Sequence, residues 1–317
     1  MALIYNATFD SGTRILSLLD KAGNVISSCE VPGKSNELTL TATADNSSVK
    51  LTMYGTVNNT YEVNTGSGWA PYTFDTVINL NKGQSCKWRC TSHPTSFSTS
   101  PNVRFVMTGT IEASGNCNSM LSSDFENLTS LSGYDYAFVS LFRNCTSLTK
   151  APSLPATTLS KYCYEYMFWG CESLTQAPQL PATTLADGCY EYMFNICKSL
   201  TQAPALPATT LANSCYDHMF SVCKSLTQAP ELPATTLRGY CYQYMFGSCS
   251  NLKEVRIAAT SYATSDTAGA LNCWLKDVSA TGDFYCDPSA TIFPTDSTSG
   301  IPANWTRRAL ADYPVTP

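Results

Sequence analysis

Residues 163–188 read "CYEYMFWGCESLTQAPQLPATTLADG", and residues 189–214 say nearly the same again, "CYEYMFNICKSLTQAPALPATTLANS". The cysteines fix the register of the repetition. Cys163, Cys189, Cys215 and Cys241 hold one position, and Cys145, Cys171, Cys197, Cys223 and Cys249 hold another, at a period of 26 residues. Working backward, "AFVSLFRNCTSLTKAPSLPATTL" from Ala137 is an earlier copy. Working forward, the copy that starts at Cys241 decays after "CYQYMFGSCSNLKEV". A terminal copy must stop the stacking, so residues 261–317, with "SYATSDTAGALNCWLKD" and "GIPANWTRRAL", are expected to form a C-terminal cap.

The period lies within the range of leucine-rich repeats and below that of helical-hairpin repeats. In "CYEYMFWGC", Cys163, Met167 and Cys171 stand at i, i+4 and i+8, the apolar stripe of a short helix. "SLTQAP" predicts a short strand closed by Pro178, and "LPATTLADG" turns the chain back. One copy cannot bury its own apolar face. Stacking would set Leu174, Leu200, Leu226 and Leu252 above one another at about 4.8 Å. The expected class is therefore α+β, a leucine-rich-repeat solenoid over residues 113–260 with a short strand and a short helix per copy.

Ahead of the repeats the period changes to two. "NELTLTATADNSSVKLTMYG" alternates apolar and polar residues about an Asp-Asn turn, and "TVINLNKGQSCKWRC" and "NVRFVMTGTIEA" continue as strands. Residues 35–112 are thus expected to form a small antiparallel, sandwich-like β domain. Residues 1–34, with "ALIYNATF" and "RILSLLDKAGNVISS", predict a β arm that anchors the molecule by adding to a neighbouring sheet or by self-association.

Composition narrows the function classes. Charged residues make up 14% of the 317, the net charge is -5, and no Lys/Arg run offers phosphate a cationic stripe, so nucleic acid is not an expected partner. No apolar stretch approaches the roughly 18 residues that span a bilayer. The start, "MALIYNATFDSGTRILSLLD", has neither the basic nor the continuous apolar region of a signal peptide, so nothing marks it for secretory cleavage: either a signal was removed or none existed. Fifteen cysteines are an odd number, and nine recur at two repeat positions, which predicts packed free thiols rather than a disulfide framework.

The motif "MFWGCESLTQAPQLPATTL" and its copies, together with "FVMTGTIEASGN" and the closing "GIPANWT", resemble the BspA-like leucine-rich-repeat family of gut-bacterial surface proteins and some of their phages. The resemblance implies a curved solenoid with a recognition or adhesion role and no catalytic activity. It names no ligand. The absence of a secretion signal departs from the typical cell-surface member.

The one metal-like spacing, Cys86, Cys90 and His93 in "CKWRCTSH", lacks a fourth ligand, and on a strand positions four apart lie about 13 Å from each other. No metal or cofactor is expected. His218 stands where sister copies carry Tyr166, Tyr192 and Tyr244, a substitution in a structural slot. Glu165, Glu191 and Asp217 share a position that reads as an outward, solvated face, since Gln243 breaks the series. The candidates for ligand contact are the positions that vary between copies. They are Lys150, Gln176, Gln202 and Gln228 beside the strand, Gln179 and Glu231 three residues on, and the row Tyr166, Tyr192, His218 and Tyr244. Amides and tyrosines suit a host or bacterial glycan or protein read by hydrogen bonds and stacking. The expectation is a non-enzymatic recognition or adhesion protein exposed on a virion or bacterial surface. The competing expectation is an architectural or decoration subunit of a large particle.

Overall fold

The computed structural model describes residues 36–55, 59–92, 103–265, 267–296 and 298–313, and the backbone of three strands within residues 6–30. These three are β1 (Asn6–Asp10), β2 (Ile15–Leu19) and β3 (Val25–Glu30), an antiparallel sheet in that order. Then follow β4 (Leu38–Ala42), β5 (Ser47–Met53), β6 (Tyr61–Asn64), β7 (Trp69–Pro71), β8 (Ile78–Leu80), β9 (Ser85–Cys90), β10 (Val103–Thr108) and β11 (Ile111–Ser114). Farther on lie β12 (Leu148–Lys150), β13 (Thr236–Leu237), β14 (Glu254–Arg256), β15 (Ser261–Tyr262), β16 (Gly282–Cys286) and β17 (Trp305–Ala309).

This inventory overturns the expected α+β leucine-rich-repeat solenoid. Regular structure is almost all β, in several small sheets, and the described residues contain two short 3-10 turns but no α-helix. The stretch "CYEYMFWGC" is a ribbon of turns. The N–H groups of Glu165, Met167, Trp169 and Cys171 donate to the carbonyl oxygens three residues back, at 3.0–3.2 Å. Those of Tyr164, Tyr166, Phe168 and Gly170 donate instead to Cys189, Glu191, Met193 and Asn195 in the next copy, at 2.8–3.0 Å. Every fourth residue has positive φ: Tyr162 at 53°, Tyr166 at 53° and Gly170 at 72°. A helix needs negative φ throughout and bonds four residues back, so the ribbon cannot be one. The same triplet of positive angles recurs from Tyr136, Ser140 and Asn144 through to Gly269, Cys273 and Asp277.

A left-handed residue other than glycine costs about 1–2 kcal/mol, and Ile196 at 65° and Val222 at 63° are β-branched as well. Bonds between copies and stacked rings offset that cost. Phe142, Phe168, Phe194, Phe220 and Phe246 form one column with ring centroids 5.5–5.7 Å apart. Tyr164, Tyr190, Tyr216 and Tyr242 form a second at 5.7–5.9 Å. Leu148, Leu174, Leu200, Leu226 and Leu252 are fully buried, as the repeat demanded. The strand expected in each "SLTQAP" shrinks after β12 to single parallel bridges, Lys150 to Gln176, Gln176 to Gln202 and Gln228 to Glu254. Pro178, Pro204 and Pro230 have no N–H with which to extend the pairing.

Upstream, two sheets pack together. One is antiparallel with order β10-β5-β8. The other has order β12-β11-β4-β9-β6-β7, in which only the β11–β12 pair is parallel. Trp88 on β9 meets Phe105 on β10 edge-on at 5.1 Å. The boundary expected after residue 112 falls inside β11, which joins β4 on one side and β12 on the other. Phe105 also heads the phenylalanine column, 5.3 Å from Phe142. The β domain is therefore packed onto the first copy by sheet and by core alike.

Downstream, the region expected as a cap begins with a sixth ribbon. Tyr242 N–H donates to Ala270 and Phe246 N–H to Trp274, and Trp274 closes the tyrosine column above Tyr242. A parallel sheet, β14-β16-β17, follows. Its outer strand is guarded by Arg308, paired with Asp283 at 2.6 Å, while Pro71 lies on the outer strand β7 at the other end. Charge and proline are the usual means of blunting a sheet edge. The anchoring role expected of residues 1–34 depends on side chains that lie outside the described residues.

All fourteen described cysteines are free, and only Cys273 is more than slightly exposed. Cys145, Cys171, Cys197, Cys223 and Cys249 donate their thiols to the carbonyls of Phe105, Phe142, Phe168, Phe194 and Phe220 at 3.0–3.2 Å. Burial pushes the Cys145, Cys189 and Cys249 thiols up to about 12, which keeps them from reacting as thiolates. Denatured, unreduced protein is expected to take up alkylating reagent at nine or more cysteines, whereas among the described cysteines of the folded protein Cys273 should react first. Near-complete protection of the denatured chain would mean disulfides.

Candidate functional surface

The strand-side row is built by the bridges just described. Lys150, Gln176 and Gln202 are exposed, with Gln179 exposed beside them, and the side chains of these four make no hydrogen bond with the described residues. The row ends in a network. Gln228 Nε2 donates to Glu254 Oε1 and to Tyr313 Oη, both at 2.6 Å, and Arg256 lies 3.5 Å from Glu231. Gln228 and Glu231 are thus occupied within the chain, and the free hydrogen-bonding capacity lies toward the first copies.

The other candidate row sits on the turn ribbon. Tyr166, Tyr192, His218 and Tyr244 stack face to face at 4.7, 4.3 and 4.6 Å. Arg143 covers the free face of Tyr166, 5.1 Å from its centroid, and also lies 4.7 Å from that of Trp169. Ring faces inside the column are consequently covered, and the row shows solvent its edges and polar tips. Stacking of a ligand on these rings, expected from the sequence, is blocked within the column. No described contact joins this row to the amide row.

No family model, curated protein or solved structure matches the chain. The surface must be read from its own chemistry.

His218 does not merely fill a tyrosine slot. Its Nδ1 lies 2.5 Å from Asp217 Oδ1, and both ring faces are covered, by Tyr192 and Tyr244. The acidic position is not the solvated face expected of it: Asp217 is buried and Glu165 and Glu191 are half-buried. Cys86 and Cys90 lie on β9 as free, buried thiols, His93 is outside the described residues, and no group of three potential metal ligands occurs among the described residues. Sequence reasoning passed over Arg143 and Trp169, which share one repeat position with Asn195, Ser221 and Gly247. The variability of that position was the available signal.

Proposed function

We propose that this chain is a non-enzymatic recognition or adhesion protein, exposed on a virion or bacterial surface, that binds a host glycan or protein through the amide row. The observation that carries the reading is the contrast between the packed core columns and the exposed polar row. Core columns are packed and joined by backbone bonds from copy to copy, while the exposed side chains of Lys150, Gln176, Gln179 and Gln202 have no hydrogen-bond partner among the described residues. Side-chain amides both donate and accept, which suits the hydroxyls of a glycan or the backbone of a protein. The BspA-like resemblance of the repeat motif accords with such a role. A second reading, an architectural or decoration subunit of a phage particle or other large assembly with the stack as spacer, draws support from the aromatic columns that run on from copy to copy. In both readings residues 1–34 supply the attachment to a partner or a second copy.

Glycan-array and host-cell binding of the full chain test the choice. The double variant Q176A/Q202A is expected to bind roughly tenfold more weakly, from two lost hydrogen bonds at about 0.5–1.5 kcal/mol each, with an unchanged urea midpoint. Undiminished binding by the variant removes the amide row as the site. Absence of binding by the parent, together with incorporation into particles, favours the spacer.

A further inference from the structure

Glu165, Glu191 and Asp217 occupy one position in three successive copies. Backbone bonds from Tyr166 to Glu191, at 3.0 Å, and from Tyr192 to Asp217, at 2.9 Å, hold the three carboxyls in register. They are walled on one side by the stacked rings of Tyr166, Tyr192 and His218. On the other side lies Gly188, where the absence of a Cβ lets two groups approach: the ring of Tyr162, and the Glu191 carboxyl, whose Oε2 is 3.1 Å from the place a Cβ would take.

Among the described residues, counter-charge reaches only the ends of this column. Arg143 faces Glu165, and His218 pairs with Asp217. The ionisable groups around Glu191 are Glu165 and Asp217 above and below it and the phenols of Tyr162, Tyr166 and Tyr192, none of which supplies positive charge. Burial, then the charges of Asp217 and Glu165, push the Glu191 carboxyl up to about 8. Burial likewise raises Glu165 to about 7 against the opposing pull of Arg143, and raises Asp217 against its hydrogen bond from His218. In the next copy Gln243, an uncharged side chain of the same shape, fills the position.

We propose that Glu191 is a built-in proton holder: the stack closes this face around a neutral carboxyl, and the face loosens when the proton leaves. A carboxyl whose proton affinity is higher in the folded state than in the unfolded chain favours folding at low pH. Its contribution is complete below the ordinary value of 4.5 and is lost as pH rises toward about 8. Mild acid therefore tightens the tyrosine face, and mild alkali opens it.

The test compares urea midpoints of the full chain at about pH 5, 7 and 9 for the parent and for E191Q, which copies the Gln243 solution. The parent midpoint is expected to fall across this range and that of E191Q to fall distinctly less, the remaining slope belonging to Glu165 and Asp217, whose carboxyls are raised by burial as well. A direct reading on the parent alone is the carbon-13 titration of the Glu191 carboxyl, expected to centre near 8. An E191Q midpoint that falls as steeply as the parent's, or a Glu191 titration centred near 4.5, overturns the proposal.

Discussion

Phe194→Ala is expected to destabilise the protein by about 3–5 kcal/mol, the upper range for deletion of a buried aromatic ring. Phe194 is fully buried, 5.6 Å from Phe168 on one side and 5.7 Å from Phe220 on the other. Collapse of neighbours usually softens such a deletion, but here the adjacent copies are held apart. Phe168 N–H is tied to Met193, and Phe194 N–H to Met219, both at 2.9 Å. The void should persist, and two ring contacts worth about 0.5–1.5 kcal/mol each beyond their burial are lost together. Urea melts followed by circular dichroism read the loss directly. A cost under about 1.5 kcal/mol would mean that the column does not act as a packed core.

Gly115→Ala is expected to be comparably damaging, for a different reason. Gly115 has φ of 74°, and a Cβ there would overlap the carbonyl oxygen of Glu37 and lie 2.8 Å from that of Asn36. Both obstacles are backbone, which cannot swing aside as a side chain does. The contact also sits where the β domain meets the stack: Gly115 accepts from Ser153 N–H at 2.8 Å, and Asn116 N–H donates to Asn36 at 2.6 Å. Left-handed strain of about 1–2 kcal/mol and overpacking of about 1–3 kcal/mol combine to roughly 2–5 kcal/mol. Gly83→Ala is the control, since Gly83 has φ of 85° with open space around its missing Cβ, so strain alone remains. Equal urea midpoints for the two variants would show that the junction yields.

The period, the thiol positions and the leucine column were legible because internal copies supply their own comparison. What failed was the local conformation. Apolar residues at i, i+4 and i+8 satisfy a helix, and they equally satisfy a ribbon that reverses its handedness at every fourth residue. Glycine at 170 and 188 and asparagine at 144 were hints of positive φ, but Tyr166, Ile196 and Val222 take the same angle and hide the pattern. The sixth ribbon went unseen because "GALNCWLKD" keeps neither the spacing nor the composition of its predecessors. The candidate rows were legible as variable positions. Their state was not: burial of Asp217, coverage of the tyrosine faces and engagement of Gln228 with Tyr313 all depend on residues from neighbouring copies or from the far end of the chain.

The alternation of backbone bonds within the ribbon, one inward and the next toward the following copy, bears on the ancestry of the gene. Each copy presents donors on one side and acceptors on the other in an identical order, so any two copies fit as neighbours. Duplication or loss of one whole copy leaves every column continuous, whereas a change by part of a copy sets donors against donors and apolar side chains against water. Recombination between like segments would therefore lengthen or shorten the molecule in whole steps, with the reach of the protein free to drift while its cross-section stays fixed.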